Sequence, residues 1–226
     1  MNTISFEAIC KHTKNLRKSN IKLIPGVIYK GGNTGNMKDE QLSKLMKVAN
    51  TGGMRSKNTV YGATAYVVLN ITYKNNTWKD YVDYKEMKVI YYGDNSRSKD
   101  MYDTKHKGNK RLKHLYDNIS FPEKQFPLFL FERDASCVNR DFKYIGIAVP
   151  RKGPDGLVVE HEEHDGTKIE NYKASLTLTQ DVVDFKWIAD LIDGIKPIES
   201  KYCPVEWKKQ IQLLSNDNYV DKIYTK

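Results

Sequence analysis

Residues 77–109 read TWKDYVDYKEMKVIYYGDNSRSKDMYDTKHKGN. The apolar side chains of this stretch are concentrated in one short run, residues 89–92, which predicts a buried strand over residues 88–92. Gly93-Asp94-Asn95 follows directly, and these residue types favour a turn. A strand that ends in a polar turn holds its last side chains still while they remain accessible. We therefore expect this stretch to carry a binding site as well as part of the central sheet.

Other β-branched and aromatic runs on either side of this strand predict a strand-rich domain. These runs span residues 63–73, 128–132, 142–149, 157–160 and 168–177. Helices are predicted over residues 40–48 with Asp39 as the cap, over 112–117, from Thr179 to Gly194, and over 205–214. The fold class is therefore α+β, with a curved, mostly antiparallel sheet or half-barrel and helices at one end.

The whole chain, residues 1–226, is predicted to form a single domain. Residues 1–20 are expected to form an N-terminal arm or helix, and residues 179–226 a C-terminal helical segment. A formal net charge of +9 and a pI near 9.2 favour a polyanionic partner.

Cysteine usage and the lack of apolar runs indicate a cytoplasmic protein. The three cysteines, Cys10, Cys137 and Cys203, lie far apart and form no CxxC pair, which argues against a disulfide framework and a zinc site. No run approaches the roughly 20 apolar residues of a membrane span, so we expect no membrane partner. We also expect no metal and no cofactor.

The acidic residues of the opening stretch suggest one alternative, a small nuclease. Glu86-x-Lys88 resembles the metal-binding half of a restriction-type nuclease core. Such a core also needs an acidic residue on an earlier strand, whereas Asp80 and Asp83 lie too close in the sequence. No nucleophile and base are suggested by spacing either. The chain itself is therefore predicted to be non-catalytic.

Basic residues near two glycine-containing segments are candidates for contacts with DNA. Lys105, Lys107, Lys110 and Arg111 surround Gly108-Asn109, a composition suited to phosphate contacts. In the other segment, Arg55 follows two glycines and is placed to reach into a groove, where it can pair with guanine.

The order of motifs along the chain resembles one known family. The motifs are VIYKGGNTGN (27–36), ANTGGMR (49–55), TWKDYVDYKEMKVIYYGDN (77–95), DTKHKGN (103–109), FPLFLFE (126–132), FKYIGIAVP (142–150), ENYKASLT (170–177), WIADLIDG (187–194) and CPVEW (203–207). Together they resemble the N-terminal DNA-recognition domain of the AspBHI and MspJI group of modification-dependent restriction endonucleases.

The resemblance implies an SRA-like, PUA-type domain that binds double-stranded DNA and flips 5-methylcytosine into a pocket. In that family a separate Mg²⁺-dependent nuclease domain follows, and related domains also precede McrBC-type motors. The resemblance therefore implies a specificity module whose nuclease or motor partner acts in cis or in trans. Oligomerisation through that effector domain is compatible with this organisation.

Base extrusion needs aromatic faces for stacking and an acceptor for the cytosine amine. The base-pocket candidates are Trp78, Asp80, Tyr91, Tyr92, Gly93 and Asp94, with Asp94 preferred over Asp80 as the acceptor. The DNA-contact candidates are Arg55, Asn95, Arg97, Lys105, Lys107, Asn109, Lys110 and Arg111. The main alternative is a B3-like, sequence-specific DNA-binding domain of a McrBC-type system, which reads its site without base flipping.

Overall fold

The computed structural model describes residues 2–34, 37–73, 77–97, 100–133, 137, 140–164 and 166–216. The strands are β1 (Thr3–Ile4), β2 (Lys22–Leu23), β3 (Ile28–Tyr29), β4 (Met54–Asn58), β5 (Thr64–Ile71), β6 (Tyr81–Asp83), β7 (Lys88–Tyr92), β8 (Leu128–Glu132), β9 (Phe142–Pro150), β10 (Leu157–His164), β11 (Thr167–Thr179) and β12 (Val183–Asp184). The α-helices are α1 (Phe6–His12), α2 (Gln41–Leu45), α3 (Gly108–Asp117), α4 (Phe185–Ile192) and α5 (Val205–Leu214). None of the described helices is both long and apolar enough to cross a membrane.

Within the described residues, ten strands form one large sheet. Its main path follows the order β4-β5-β8-β9-β11-β7-β6, while β3 joins β9, β1 joins β3, and β10 pairs with β11. The β5–β8 and β1–β3 pairs are parallel and the other pairs are antiparallel. A separate pair, β2 with β12, lies beside the sheet. The α+β class and the mostly antiparallel sheet are confirmed, and the path ends at β4 and β6 without closing into a barrel.

The centre of the sheet is covered on both faces. Along β5, Tyr66 and Val68 belong to one apolar layer, whereas Val67 and Leu69 belong to the other. Successive side chains of a strand point to opposite faces, so a strand that is apolar throughout needs cover on both sides. The continuous apolar runs of the sequence follow from this arrangement.

The helices supply that cover on two faces and are not gathered at one end. Helices α1, α2, α4 and α5 contribute to the first apolar layer, in which the Trp187 and Trp207 rings pack edge to face at 5.3 Å. Helix α3 contributes Leu112 and Leu115 to the second layer. Because α3 covers only part of that face, the ends of neighbouring strands remain accessible beside it.

Most predicted elements have the expected position, and three helix starts differ. Helix α3 begins at Gly108, four residues before the predicted start. The strands Lys88–Tyr92 and Leu128–Glu132 and the helix Val205–Leu214 are as predicted. Glu40, not Asp39, caps α2, since its side chain accepts the Ser43 N–H at 2.7 Å. The helix expected from Thr179 begins at Phe185, because β11 continues to Thr179 and Asp184 is the actual N-cap. Residues 217–226 of the predicted C-terminal segment lie outside the described residues.

Candidate functional site

A cavity of about 530 Å³ opens where β4, β5 and β7 meet the turn before α3. We call it the aromatic cavity, lined among others by Gly52, Gly53, Asn70, Trp78, Asp80, Tyr91, Tyr92, Gly93, Asp94 and His106. The structure thus brings all six base-pocket candidates to one cavity, together with Arg55 and Asn95. A volume of this size is typical of ligand pockets.

Trp78 and Tyr92 form the aromatic wall of the cavity. Their ring centroids are 5.4 Å apart with an interplanar angle of 36°. The Tyr92 hydroxyl donates to Glu160 at 2.8 Å, which fixes the ring from its far end. Tyr91 is 3% exposed and belongs to the second apolar layer as well. The cavity therefore has one fixed aromatic wall and one aromatic that is shared with the core.

Asp80 is the acidic group with unused hydrogen-bonding capacity in this cavity. Its Oδ1 accepts the backbone N–H of Tyr92 at 2.8 Å, which fixes the carboxyl relative to the end of β7. Burial raises the pKa of Asp80 to about 7, and the Tyr92 hydrogen bond opposes that rise only in part. Near neutral pH the group is therefore present both as an acid, which can donate, and as a carboxylate, which can only accept.

Asp94 has a different environment from the one predicted for a preferred base acceptor. Its Oδ2 accepts the Thr104 hydroxyl at 2.9 Å, and its Oδ1 accepts the Asn109 N–H at 3.1 Å. Both oxygens thus bind the segment that leads into α3. A Cβ at Gly108 would lie 2.8 Å from Asp94 Oδ1, so this approach also depends on a glycine. Asp94 ties the turn after β7 to the start of α3.

Arg55 is buried and does not project into a groove as predicted. It is 6% exposed, and its Nη1 forms an ion pair with Glu40 Oε1 at 2.7 Å. Its Nε also donates to the Gly52 carbonyl at 2.8 Å, and its Nη1 to the Ala49 carbonyl at 3.0 Å. The guanidinium therefore fixes the glycine turn that forms one rim of the aromatic cavity.

Two of the predicted DNA contacts, Asn95 and Asn109, are buried and form hydrogen bonds inside the protein. Asn109 is completely buried and donates to the Met101 carbonyl at 2.9 Å. Asn95 is 2% exposed and donates to the Glu170 carbonyl at 2.7 Å. A Cβ on Gly93 would meet Asn109 Oδ1 at 1.6 Å, which explains the glycine by protein packing alone. These residues shape the cavity from behind.

The remaining basic residues among the predicted DNA contacts divide by exposure. Arg97, Lys105, Lys107 and Lys110 are exposed. Arg111 is half-buried, its Nη1 donates to the His106 carbonyl, and burial lowers the pKa of its guanidinium. The exposed four are free to meet a ligand, while Arg111 partly serves the turn before α3.

The acidic residues considered for a nuclease do not converge. Asp83 accepts the backbone N–H groups of Lys85 and Glu86, which makes it the cap of the turn between β6 and β7. Lys88 lies 3.7 Å from Asp155. In the part of the chain that the structure describes, no three His, Cys, Asp or Glu side chains are grouped so as to hold a metal ion.

Sequence reasoning missed the contributions of Glu40 and Asn70. Glu40 supports the rim through Arg55, and Asn70 lines the cavity and donates to the Gly52 carbonyl at 3.1 Å. Neither residue lies in the stretch that carries the aromatic wall. Glu40 in particular has no signal in the sequence, since its partner follows 15 residues later on another element.

The chain is similar to DNA-recognition domains of known restriction enzymes. The family described as Restriction endonuclease AspBHI N-terminal matches residues 23–221. The DNA-recognition domain of the cytosine modification-dependent restriction endonuclease LpnPI superposes with a TM-score of 0.72 and 30% identity, over 87% of each chain. No match was found among curated proteins.

Two further structures share the fold. The DNA modification-dependent restriction endonuclease AspBHI gives a TM-score of 0.77 at 24% identity, over 93% of this chain and 53% of that one. The MspJI restriction endonuclease in complex with a 27-mer oligonucleotide gives 0.60 at 18% identity, over 90% and 55%. The chain therefore spans about half the length of each of these two enzymes.

Proposed function

The chain belongs to the Restriction endonuclease AspBHI N-terminal family, and we propose that it is a duplex-DNA recognition module that extrudes a modified cytosine into the aromatic cavity. LpnPI, whose recognition domain is 30% identical, is described as cytosine modification-dependent. The single observation that carries the proposal for this chain is the position of Asp80 next to the aromatic wall.

Asp80 has the hydrogen-bonding capacity that a cytosine edge requires. That edge presents an amine donor at N4 and an acceptor at N3, and the two can be contacted together only when the base leaves its pair. A carboxyl group that titrates near neutral pH can accept from N4 and donate to N3 at once. Thymine presents a carbonyl at C4 and an N3–H, so the same arrangement disfavours it.

The aromatic wall offers a stacking surface in place of the neighbouring bases. Extrusion costs a few kcal/mol of lost stacking and pairing, and stacking on an aromatic side chain returns about 1–3 kcal/mol per base. Trp78 and Tyr92 are held by packing and by the Tyr92–Glu160 hydrogen bond, so they lose little freedom when a base arrives. The exposed cations Arg97 and Lys105 supply phosphate contacts at the rim.

In this proposal the chain selects the site and a partner domain cuts or translocates the DNA. AspBHI and MspJI are about twice as long as the matched region. A nuclease or motor domain, in cis or in trans, is thus the proposed partner, and oligomerisation is proposed to depend on it. The working compartment is proposed to be the cytoplasm, where such systems meet invading DNA.

A fluorescent cytosine analogue at the target position of a short duplex tests base extrusion directly. We expect its emission to rise on binding as the base unstacks. The parent should prefer a duplex with 5-methylcytosine at the target position over one with thymine there, and in Asp80→Ala this preference should fall roughly tenfold or more. Asp94→Asn should keep that preference, because Asp94 binds Thr104 and Asn109 and not the ligand.

Asp83→Asn is the matched control, since Asp83 lies on the neighbouring strand but only caps its own turn. It should bind and discriminate like the parent. Binding without any change in emission would contradict base flipping and favour the B3-like reader. Equal discrimination by Asp80→Ala and the parent would remove Asp80 from the pocket.

A further inference from the structure

A second cavity of about 590 Å³ lies beside α3 at the far end of the β4–β5 hairpin. We call it the basic groove. Its positive groups come from Lys107, Lys110, Arg111, Lys124 and Lys196, and His114 also lines it. Glu123 is the acidic residue that lines it. The base pocket does not require this cavity, and no sequence pattern links Lys124 and Lys196 to the cluster on α3.

The cationic side of the groove follows helical spacing. Lys107, Lys110, Arg111 and His114 are separated by three, one and three positions, so they lie along one face at the start of and within α3. The opposite face carries Leu112 and Leu115, which are buried in the second apolar layer. Helix packing thus directs these four side chains towards the groove.

Several of these charges are available to a ligand. Among the described residues, no carboxylate lies within ion-pairing distance of Lys107, Lys110 or Lys124. Lys113, by contrast, lies on the same helix and pairs with Asp117 at 2.7 Å. The groove therefore concentrates positive charge from Lys107, Lys110 and Lys124, whereas its Lys196 is paired with Glu199 at 3.1 Å.

The floor of the groove is apolar. Ala65 comes from β5, Ala63 lies just before it, and Leu191 comes from α4. Phe126 lies under the His114 ring, which stacks on it at 6.1 Å and 11°. A cationic wall above an apolar floor fits a chain that alternates charged phosphates with less polar sugars, and DNA-binding proteins contact both parts of the backbone.

The distance between the two cavities can be expressed as a number of DNA base pairs. Arg55 on β4 borders the aromatic cavity, and Thr59, the residue after β4, borders the basic groove. On β5 the corresponding residues are Asn70 and Ala65. Strands rise about 3.3 Å per residue, so four to five residues separate the two cavities by about 13–17 Å. A DNA strand carries one phosphate per about 3.4 Å of helix axis, so this separation corresponds to about 4–5 base pairs.

We propose that the basic groove holds the phosphodiester backbone of the bound duplex about 4–5 base pairs to one side of the extruded base. The inference rests on the proposed function, because the register is counted from the base in the aromatic cavity. In this arrangement the domain contacts the phosphate backbone of one flank at a fixed distance from the extruded base, whatever the sequence of that flank.

Charge-neutralising variants and duplexes of graded length test this contact. The double variant Lys110→Gln with Lys124→Gln removes two groove cations from two different elements. Its charge-matched control is Lys113→Gln with Lys209→Gln, because both lysines pair with carboxylates outside the groove. Affinity is measured at several salt concentrations while either flank is extended from about 2 to 8 base pairs.

For the parent and the control we expect affinity to rise once one flank, and only one, passes about 5 base pairs. The groove variant should lack this rise, bind long duplexes roughly tenfold or more weakly at about 0.1 M salt, and show a salt slope reduced by about 1.8. Emission from the cytosine analogue should still increase in both variants, because base extrusion does not use these lysines.

Three outcomes would overturn the inference. Equal losses on short and long duplexes would mean that the lysines act without a fixed register. An equal loss in the control would reduce the effect to net charge. Unchanged DNA binding in the groove variant would leave the groove to another partner, such as an acidic peptide. A parent that binds with a length step but without increased emission would contradict base flipping alone, so the two failures are distinguishable.

Discussion

The aromatic cavity and the basic groove lie at opposite ends of the same β-hairpin and are built in opposite ways. In the cavity, polar side chains are tied to the protein: Arg55 to Glu40, and Asp94 to Thr104 and Asn109. In the groove, the lysines stand exposed at the ends of flexible side chains. The first region is pre-organised, and the second is adaptable.

This difference matches the different requirements of base contacts and phosphate contacts in DNA recognition. Contacts to bases need fixed geometry, because a small displacement loses a hydrogen bond, whereas contacts to phosphates tolerate motion. Substitutions behind the cavity should therefore cost folding stability, while substitutions in the groove should cost binding alone. A groove substitution that lowers folding stability, or a substitution behind the cavity that does not, would contradict the comparison.

The largest effect on stability is expected from Glu40→Ala, which leaves the Arg55 guanidinium buried without its partner. Both side chains are less than 10% exposed, at 6% and 8%. Removing one member of a buried ion pair costs about 3–5 kcal/mol, because the remaining charge is desolvated and uncompensated. Urea unfolding at pH 7 measures the loss, and part of it reflects the Ser43 cap that Glu40 also provides.

Glu206→Ala is the matched control, since Glu206 pairs with Lys209 at 3.8 Å on an exposed part of α5. Its cost should stay within about 0.5 kcal/mol. A Glu40→Ala cost as small as that of the control would show that the rim of the cavity is solvated and not pre-organised.

Sequence patterns predicted the strands that form this site well, and the hydrogen bonds and ion pairs within it poorly. The strand Lys88–Tyr92 was predictable because an apolar run is bounded by a lysine and a polar turn, and this strand delivers Tyr91 and Tyr92 to the cavity. The start of α4 was not predictable, because the β-branched Thr177 and Thr179 favour a strand equally well.

The roles of the two aspartates depended on contacts that no local pattern contains. Asp94 was expected to read the base because it ends a strand, but Thr104 and Asn109 return from the next segment to occupy its oxygens. Asp80 lies before β6, and its Oδ1 accepts the Tyr92 N–H. Which acid remains available is thus decided by chain folding across 10 to 15 residues, beyond the range of spacing arguments.

A smaller effect on stability, with a distinct pH profile, is expected from Asp80→Asn. The pKa of Asp80 is raised from 3.8 to about 7 in the folded protein, so the native state binds this proton more tightly than the unfolded state. Its contribution to stability is complete below about pH 4 and is lost as the pH rises towards 7. Asn keeps the acceptor for Tyr92 and removes the titration, so the variant should gain about 1–3 kcal/mol relative to the parent between pH 4.5 and 7.5.

Urea unfolding of both proteins at several pH values measures this difference. Asp83→Asn, in the neighbouring exposed turn, should follow the pH dependence of the parent. Parallel curves for Asp80→Asn and the parent would show that the Asp80 carboxyl is already ionised throughout, and its ability to donate to N3 of cytosine at neutral pH would be lost with it.

The smallest effect is expected from Lys113→Ala, which tests an exposed charge of α3 that lies outside the groove. Lys113 and Asp117 are 45% and 55% exposed, and their ion pair has the less favourable order, with the lysine towards the helix N-terminus. Its loss should cost at most about 0.5 kcal/mol, and the cost should disappear in 1 M NaCl because salt screens exposed charges. Thermal unfolding at low and high salt measures it, with Lys110→Ala alongside. If either substitution cost as much as Glu40→Ala, the charges of α3 would belong to the folded framework, and the contrast between a fixed cavity and an adaptable groove would fail.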